Sequence, residues 1–280
     1  MLAPLLLRGA VLSPFKRPRA DASLPGDRET RGGVRPDAVQ LAAYSRLAGY
    51  PAPQHTLPLP YPHVLGFPLA MRLMTTRAFP LPLLGLVHTS IEITQHRALT
   101  TDDSLELSVH AARLTPHRRG TEATLVTEAR VDGTPVWTSN STYLARHRTS
   151  DTSDASDTGA PDAPTAPRKS DAAPLPARAE WQLPADLGRR YGAVSGDRNP
   201  IHLHPLTARV LGFPRAIAHG MWTAARCIAE HTEYETPESA RVQVDFKAPV
   251  LLPGTVTYAA DGPGFELRGG DRVHLSGTLR

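Results

Sequence analysis

An aspartate and a histidine five residues apart, Asp197 and His202, stand in the segment Tyr191-Gly-Ala-Val-Ser-Gly-Asp-Arg-Asn-Pro-Ile-His202. A carboxylate and an imidazole that share one water molecule can take its proton and return it to a neighbouring atom. The backbone around them is set to turn. Gly196 supplies conformational freedom on one side of Asp197. On the other side Pro200 disfavours a helical Asn199, so Asn199 reads as a helix cap and Pro200 as the first helical residue. The carboxylate is therefore expected on a loop and the imidazole just inside a short helical turn. Further on, Ala218-His-Gly-Met221 opens a second helical stretch.

This string resembles the signature of the MaoC-type (R)-specific enoyl-CoA hydratases and 3-hydroxyacyl-thioester dehydratases. The match runs through Ser195, Gly196, Asp197, Asn199, Pro200, Ile201 and His202, and continues in His219-Gly220-Met221. The resemblance implies an α+β hotdog fold, an antiparallel sheet wrapped around a central helix. It implies a trans-2-enoyl thioester, or its (R)-3-hydroxyacyl counterpart, as substrate. Asp197 and His202 would hold and activate the water, and which of them is the formal base stays open. Their pairing is expected to keep the carboxylate ionised and to tune the imidazole toward neutral pH. Gly220 begins a helix, where amides are unsatisfied and the dipole is positive, so its N–H is the candidate oxyanion donor. Packing of helix on sheet is the competing reason for that glycine. Ser195, Gly196 and Asn199 are assigned to loop support and Tyr191 to packing.

The elements that must position these residues repeat. Apolar and small positions from Asp37 to Ala48 predict a short helix closed by Gly49. From His63, Val64, Phe67, Ala70, Met71 and Met74 fall at helical spacing, with Pro68 expected to kink or restart the helix. Strand-like runs follow at Leu84–Thr94, Leu105–Val109, Glu122–Val131 and Pro135–Leu144, with Asp132-Gly133 as a hairpin turn. In the second half, strand Trp181–Pro184 and a helix over Pro205–Leu211 precede a helix from His219 to His231. Strands are expected at Arg241–Lys247, Thr255–Ala260, Gly264–Arg268 and Arg272–Leu279. Helix then meander occurs twice, with the signature only in the second copy. The resemblance therefore implies a double hotdog whose amino-terminal copy, residues 1–148, lacks the catalytic loop, and whose carboxyl-terminal copy, 179–280, carries it. Residues 149–178, rich in Asp, Ser, Ala and Pro, are expected to be a flexible linker. Residues 9–35 show no clean periodicity and are expected to be extended or irregular.

Composition narrows the alternatives. The 280 residues carry a net charge of +4, with no Lys/Arg run interleaved with aromatics, which argues against nucleic acid. A mildly basic chain is compatible with a phosphate-bearing carrier, coenzyme A or acyl carrier protein; Arg8, Lys16, Arg17 and Arg19 are candidates for its phosphates, with solvated surface as their default reading. The single cysteine, Cys227, rules out an intrachain disulfide and reads as a buried structural thiol. Met1–Arg8 is too short and interrupted for a signal peptide, and no stretch is long enough to span a membrane, so the cytoplasm is expected. His202 and His204 lack further ligands at suitable spacing, so no metal is expected. No cofactor is expected beyond the thioester's own carrier. His63 and His88 have no acid at a matching offset and read as structural. Two rival functions fit the same fold: an acyl thioesterase, and a non-catalytic acyl-thioester-binding partner subunit. The halves are expected to form a pseudo-dimer within the chain, with association into a homodimer open.

Overall fold

The computed structural model describes residues 9, 13, 16, 18–52, 55–147 and 174–280. The first helix, α1 (Ala38–Ala48), starts where the Asp37 carboxylate accepts the Gln40 amide at 2.7 Å. It stops at Gly49, whose φ of 93° lies in the left-handed region. The apolar stretch that follows is one helix, α2 (Tyr61–Met74), beginning two residues before the expected His63. Pro68 does not restart it. A proline inside a helix removes a backbone hydrogen bond at a cost of about 3 kcal/mol. However, α2 is buried on most of its faces, and that packing outweighs the loss.

Four strands follow, β2 (Val87–Gln95), β3 (Leu105–His117), β4 (Gly120–Val131) and β5 (Thr134–Arg146), close to the expected order. They are joined in space by β1 (Glu29–Val34). That strand lies in the stretch expected to be irregular. Glu-Thr-Arg-Gly-Gly-Val has no apolar alternation, and it is a strand because β3 pairs with it, Glu29 opposite Val109. β3 also runs well past the expected Val109, because its polar outer half pairs with β4 as far as His117 opposite Gly120. At the β4–β5 hairpin Asp132 and Gly133 both have positive φ, as such a two-residue turn requires.

The second half holds β6 (Ala177–Leu183), α3 (Leu187–Ser195), α4 (Pro200–Leu203), α5 (Pro205–Val210) and α6 (Gly220–His231). It ends in β7 (Ala240–Phe246), β8 (Gly254–Asp261), β9 (Gly264–Gly269) and β10 (Arg272–Leu279). All pairings are antiparallel, in one ten-stranded sheet of order β1-β3-β4-β5-β2-β7-β10-β9-β8-β6. Read outward from the middle, the second half repeats the strand order of the first. The halves meet at β2 and β7, from Ser90 opposite Asp245 to Gln95 opposite Ala240. This is the double hotdog: α2 packs on β1, β3 and β4, and α6 on β9 and β10.

One apolar core runs through both halves. Side chains also cross between them: Trp222 Nε1 donates to the Leu47 carbonyl at 2.9 Å and Gln40 Nε2 to the Val194 carbonyl at 2.7 Å. Most of the expected linker, 149–178, lies outside the described residues; its last two positions begin β6 at Ala177. The opening stretch Met1–Arg8 also lies outside them.

Candidate active site

The expected loop and helical turn are both present, preceded by a helix, α3, that the sequence reading did not mark. α3 ends at Gly196, whose φ is 79° and whose amide returns to the Gly192 carbonyl. Ser195 Oγ donates to the Tyr191 carbonyl at 2.8 Å and accepts the Asp197 amide at 3.2 Å. The Asn199 amide donates to Asp197 Oδ1 at 3.1 Å, which aims the carboxylate. Asn199 Oδ1 then caps α4 through the Ile201 amide, and Pro200 is its first residue. Ser195, Gly196 and Asn199 are thus the residues that shape the Asp197 loop.

His202 is buried, and its Nδ1 lies 2.8 Å from the Ile217 carbonyl oxygen. A carbonyl only accepts, so Nδ1 carries the proton and Nε2 keeps a lone pair. The same logic applies to His219, whose Nε2 lies 2.9 Å from the Asp197 backbone oxygen. Its ring stacks on that of His202 with centroids 3.7 Å apart and an angle of 25°. One ligand-capable atom from each of Asp197, His202 and His219 lies within 4.8 Å of the others. Two hydrogen bonds of about 2.8 Å meeting at one oxygen span a gap of about 4.5 Å. The geometry therefore suits a bound water.

The trio also corrects the reasoning about metals from spacing alone. The fold supplies a third ligand-capable side chain, His219, beside Asp197 and His202. His204 is exposed instead and caps α5 through the Leu206 amide.

Burial sets the electrostatics. It pulls the His202 pKa below its ordinary 6.5, and the opposing pull of Asp197 is smaller. The pairing therefore does not hold this imidazole near neutral pH as expected; it is a neutral base there. His219 is driven well below 6.5 by burial and by His202.

Gly220 is the first residue of α6 and lines the same cavity. The Trp222 and Thr223 amides return to the His219 carbonyl, which leaves those of Gly220 and Met221 without a partner among the described residues, as donors at the helix end. A side chain at Gly220 would stand 3.1 Å from the Phe246 ring, so the glycine serves packing as well. A tighter constraint lies behind the site. A Cβ on Gly188 would fall 1.9 Å from the His202 carbonyl oxygen. Gly188→Ala is expected to cost about 1–3 kcal/mol of stability by overpacking. Thermal unfolding checks this, and an unchanged midpoint would mean that α3 slides freely from α4.

The cavity, of about 620 Å³, is shared by the two halves. Asp197, His202 and Gly220 face it from the second half, and Val64, Phe67, Met71 and Met74 of α2 from the first. His63 and His88, expected to be structural, stand on its wall, with pKa values lowered by burial to about 4 and about 3. No local pattern marked either one. Exposed Arg118, Arg119, Arg146, Arg198 and Lys247 surround the mouth. Of the basic residues near the start, Lys16 donates to the Met74 carbonyl and Arg19 pairs with Asp21, while Arg8 and Arg17 lie outside the described residues. Cys227 is buried, its thiol pKa raised by desolvation, as a structural thiol should be.

Comparison with known proteins follows the same lines. The family description "MaoC like domain" matches residues 165–268. The chain is 39% identical to 3-hydroxyacyl-thioester dehydratase X of Mycobacterium tuberculosis, over 98% of this chain and 96% of that protein. The crystal structure of HtdX from the same organism superposes with a TM-score of 0.76 at 33% identity, covering 91% of this chain and 99% of that one. A MaoC-like dehydratase from Phytophthora capsici shares the fold, with a TM-score of 0.70 at 18% identity over 93% of this chain and 97% of that one.

Proposed function

The chain belongs to the MaoC-like dehydratase family, and from that premise we propose that it interconverts trans-2-enoyl and (R)-3-hydroxyacyl thioesters in fatty-acyl metabolism. The observation that carries this reading is the cluster of Asp197, His202 and His219 on one cavity, with a ligand-capable atom of each within 4.8 Å of the others, and with His202 Nδ1 committed to the Ile217 carbonyl so that its lone pair is on Nε2.

In the hydration direction the water donates one hydrogen bond to Asp197 and the other to His202. His202, neutral and with Nε2 unprotonated, takes the proton as the oxygen bonds to the third acyl carbon. Charge moves through the double bond to the thioester oxygen, where the Gly220 amide and the positive end of α6 stabilise it. The imidazolium then returns its proton to the second carbon. One O–H bond and the carbon–carbon π bond are broken, and one C–O and one C–H bond are formed. Water closes the balance, so the reading needs no metal and no cofactor beyond the carrier. Dehydration is the reverse. Asp197 and His202 are the catalytic pair here, with Ser195, Gly196 and Asn199 as loop support.

The cations at the mouth suit the phosphates of coenzyme A or of an acyl carrier protein's prosthetic arm. Among the described residues no helix is long and apolar enough to cross a membrane, and a cytoplasmic site of action fits this chemistry. Within the chain the two halves act as a pseudo-dimer.

The test is the conjugated double bond of a crotonyl thioester followed in the ultraviolet with the purified full chain. Its loss, with the (R)-alcohol as product, is expected. Thiol release with the double bond intact would instead make the protein a thioesterase. Saturable binding with no turnover would make it a binding subunit.

A further inference from the structure

The wall of the cavity contributed by the first half is graded. Beyond its first turn α2 presents Val64, Phe67, Met71 and Met74, an apolar surface for an alkyl chain. Its first turn presents His63, which is 6% exposed and close enough to the catalytic loop for the Asp197 charge to act on it. The His63 ring is backed by His88, with centroids 6.1 Å apart; His88 in turn stacks on Tyr143 at 4.5 Å and abuts Phe246 at 4.9 Å. A ring held in this way has little freedom to turn. Nδ1 of His63 is sealed from solvent and meets no partner among the described residues. That leaves Nε2 as the ring nitrogen on the cavity side. An unshared acceptor is easier to bury than an unshared N–H, so the proton sits on Nε2. His63 thus offers a neutral, rigidly mounted hydrogen-bond donor in a place where a plain alkyl chain has nothing to accept it.

We propose that His63 is a specificity-determining residue whose Nε2–H binds an oxygen substituent, a hydroxyl or keto group, on the acyl chain a few carbons beyond the reacting pair. The preferred substrate is then an oxygenated acyl thioester rather than a plain one, with the oxygen near the catalytic loop and the hydrocarbon remainder along α2. The pKa of about 4 given to His63 by burial keeps the ring neutral, so the subsite selects a dipole and not an anion. This inference rests on the reading of the cavity as the acyl site.

The experiment compares two saturated acyl thioesters of equal length, one with a hydroxyl on the fifth carbon and one without, by calorimetry on the full-length protein. The matching enoyl pair is compared by kcat/KM. The hydroxylated member is expected to bind about tenfold more tightly. His63→Phe should bring the two to within about twofold, and His63→Gln, which keeps an N–H donor, should restore part of the difference. Equal binding of the pair by the unaltered protein overturns the proposal, as does a preference that persists in His63→Phe. Normal crotonyl hydration without any preference would sink this proposal alone. A binding preference without hydration would sink the mechanism and leave the subsite standing.

Discussion

Asp197→Asn and His202→Ala proteins are each expected to hydrate an enoyl thioester about 100- to 10,000-fold more slowly than the unaltered chain. The first substitution is nearly isosteric. Its amide oxygen can still accept the Asn199 amide that holds Asp197 Oδ1, so the loop keeps its shape. What disappears is the negative charge and one acceptor for the water. The second removes the lone pair that takes the proton and leaves the Ile217 carbonyl without its ring donor. The two groups act on one water, so the double variant should be little worse than the poorer single variant.

The pH profile separates the roles. His202 must be neutral to act, and burial places its pKa below 6.5, so the acid limb of kcat/KM lies below pH 6.5. Asp197 raises that pKa, so in Asp197→Asn the limb should move to lower pH. Steady-state rates with crotonyl thioester, beside circular dichroism to establish folding, check both points. Near-normal activity in a folded His202→Ala protein would move the base to another group, and the mechanism given above would be wrong.

Acid is expected to unfold this protein steeply, and the sign follows from the same buried rings. His63, His88, His202 and His219 all have folded-state pKa values below 6.5, with burial the leading cause in each case. Above pH 6.5 these rings are neutral in both the folded and the unfolded chain. As the pH falls, the unfolded chain takes up protons that the folded chain cannot, and stability is lost. The window runs from about 6.5 down to about 4 for His63 and about 3 for His88. Each such ring contributes on the order of 1.4 kcal/mol per pH unit within its window. His63 and His88 together then remove roughly 3 kcal/mol per unit, a large share of the roughly 5–15 kcal/mol that holds a domain folded. Urea midpoints measured between pH 7 and pH 4.5 should fall accordingly, and His88→Phe should flatten the slope. A midpoint independent of pH over that range would mean that the cavity wall admits protons and water readily, which would also undercut a neutral His202.

The sequence by itself determined what depends on near neighbours along the chain. Asp37 and Gly49 bound α1 because a cap needs only its own turn. Asn199 and Pro200 start α4 for the same reason, and Gly196 releases the loop that carries Asp197. Asp132-Gly133 makes its hairpin, and the twice-repeated order of helix and strands was legible because hydrophobic period is a local property. So was the segment proposed as catalytic, whose Asp197 and His202 lie within one short run.

Only the tertiary structure decided the rest. β1 is a strand because β3, far along the chain, lends it hydrogen bonds that its own residues do not call for. α2 passes through Pro68 because burial outweighs a broken turn. His219 and His63 reach the site from segments 17 residues after and 139 residues before His202. The His202 pKa is set by what encloses the ring rather than by the acid beside it in sequence. Desolvation, strand pairing and the meeting of two half-sheets depend on distance through space, and a linear pattern carries that information only after the chain has closed on itself.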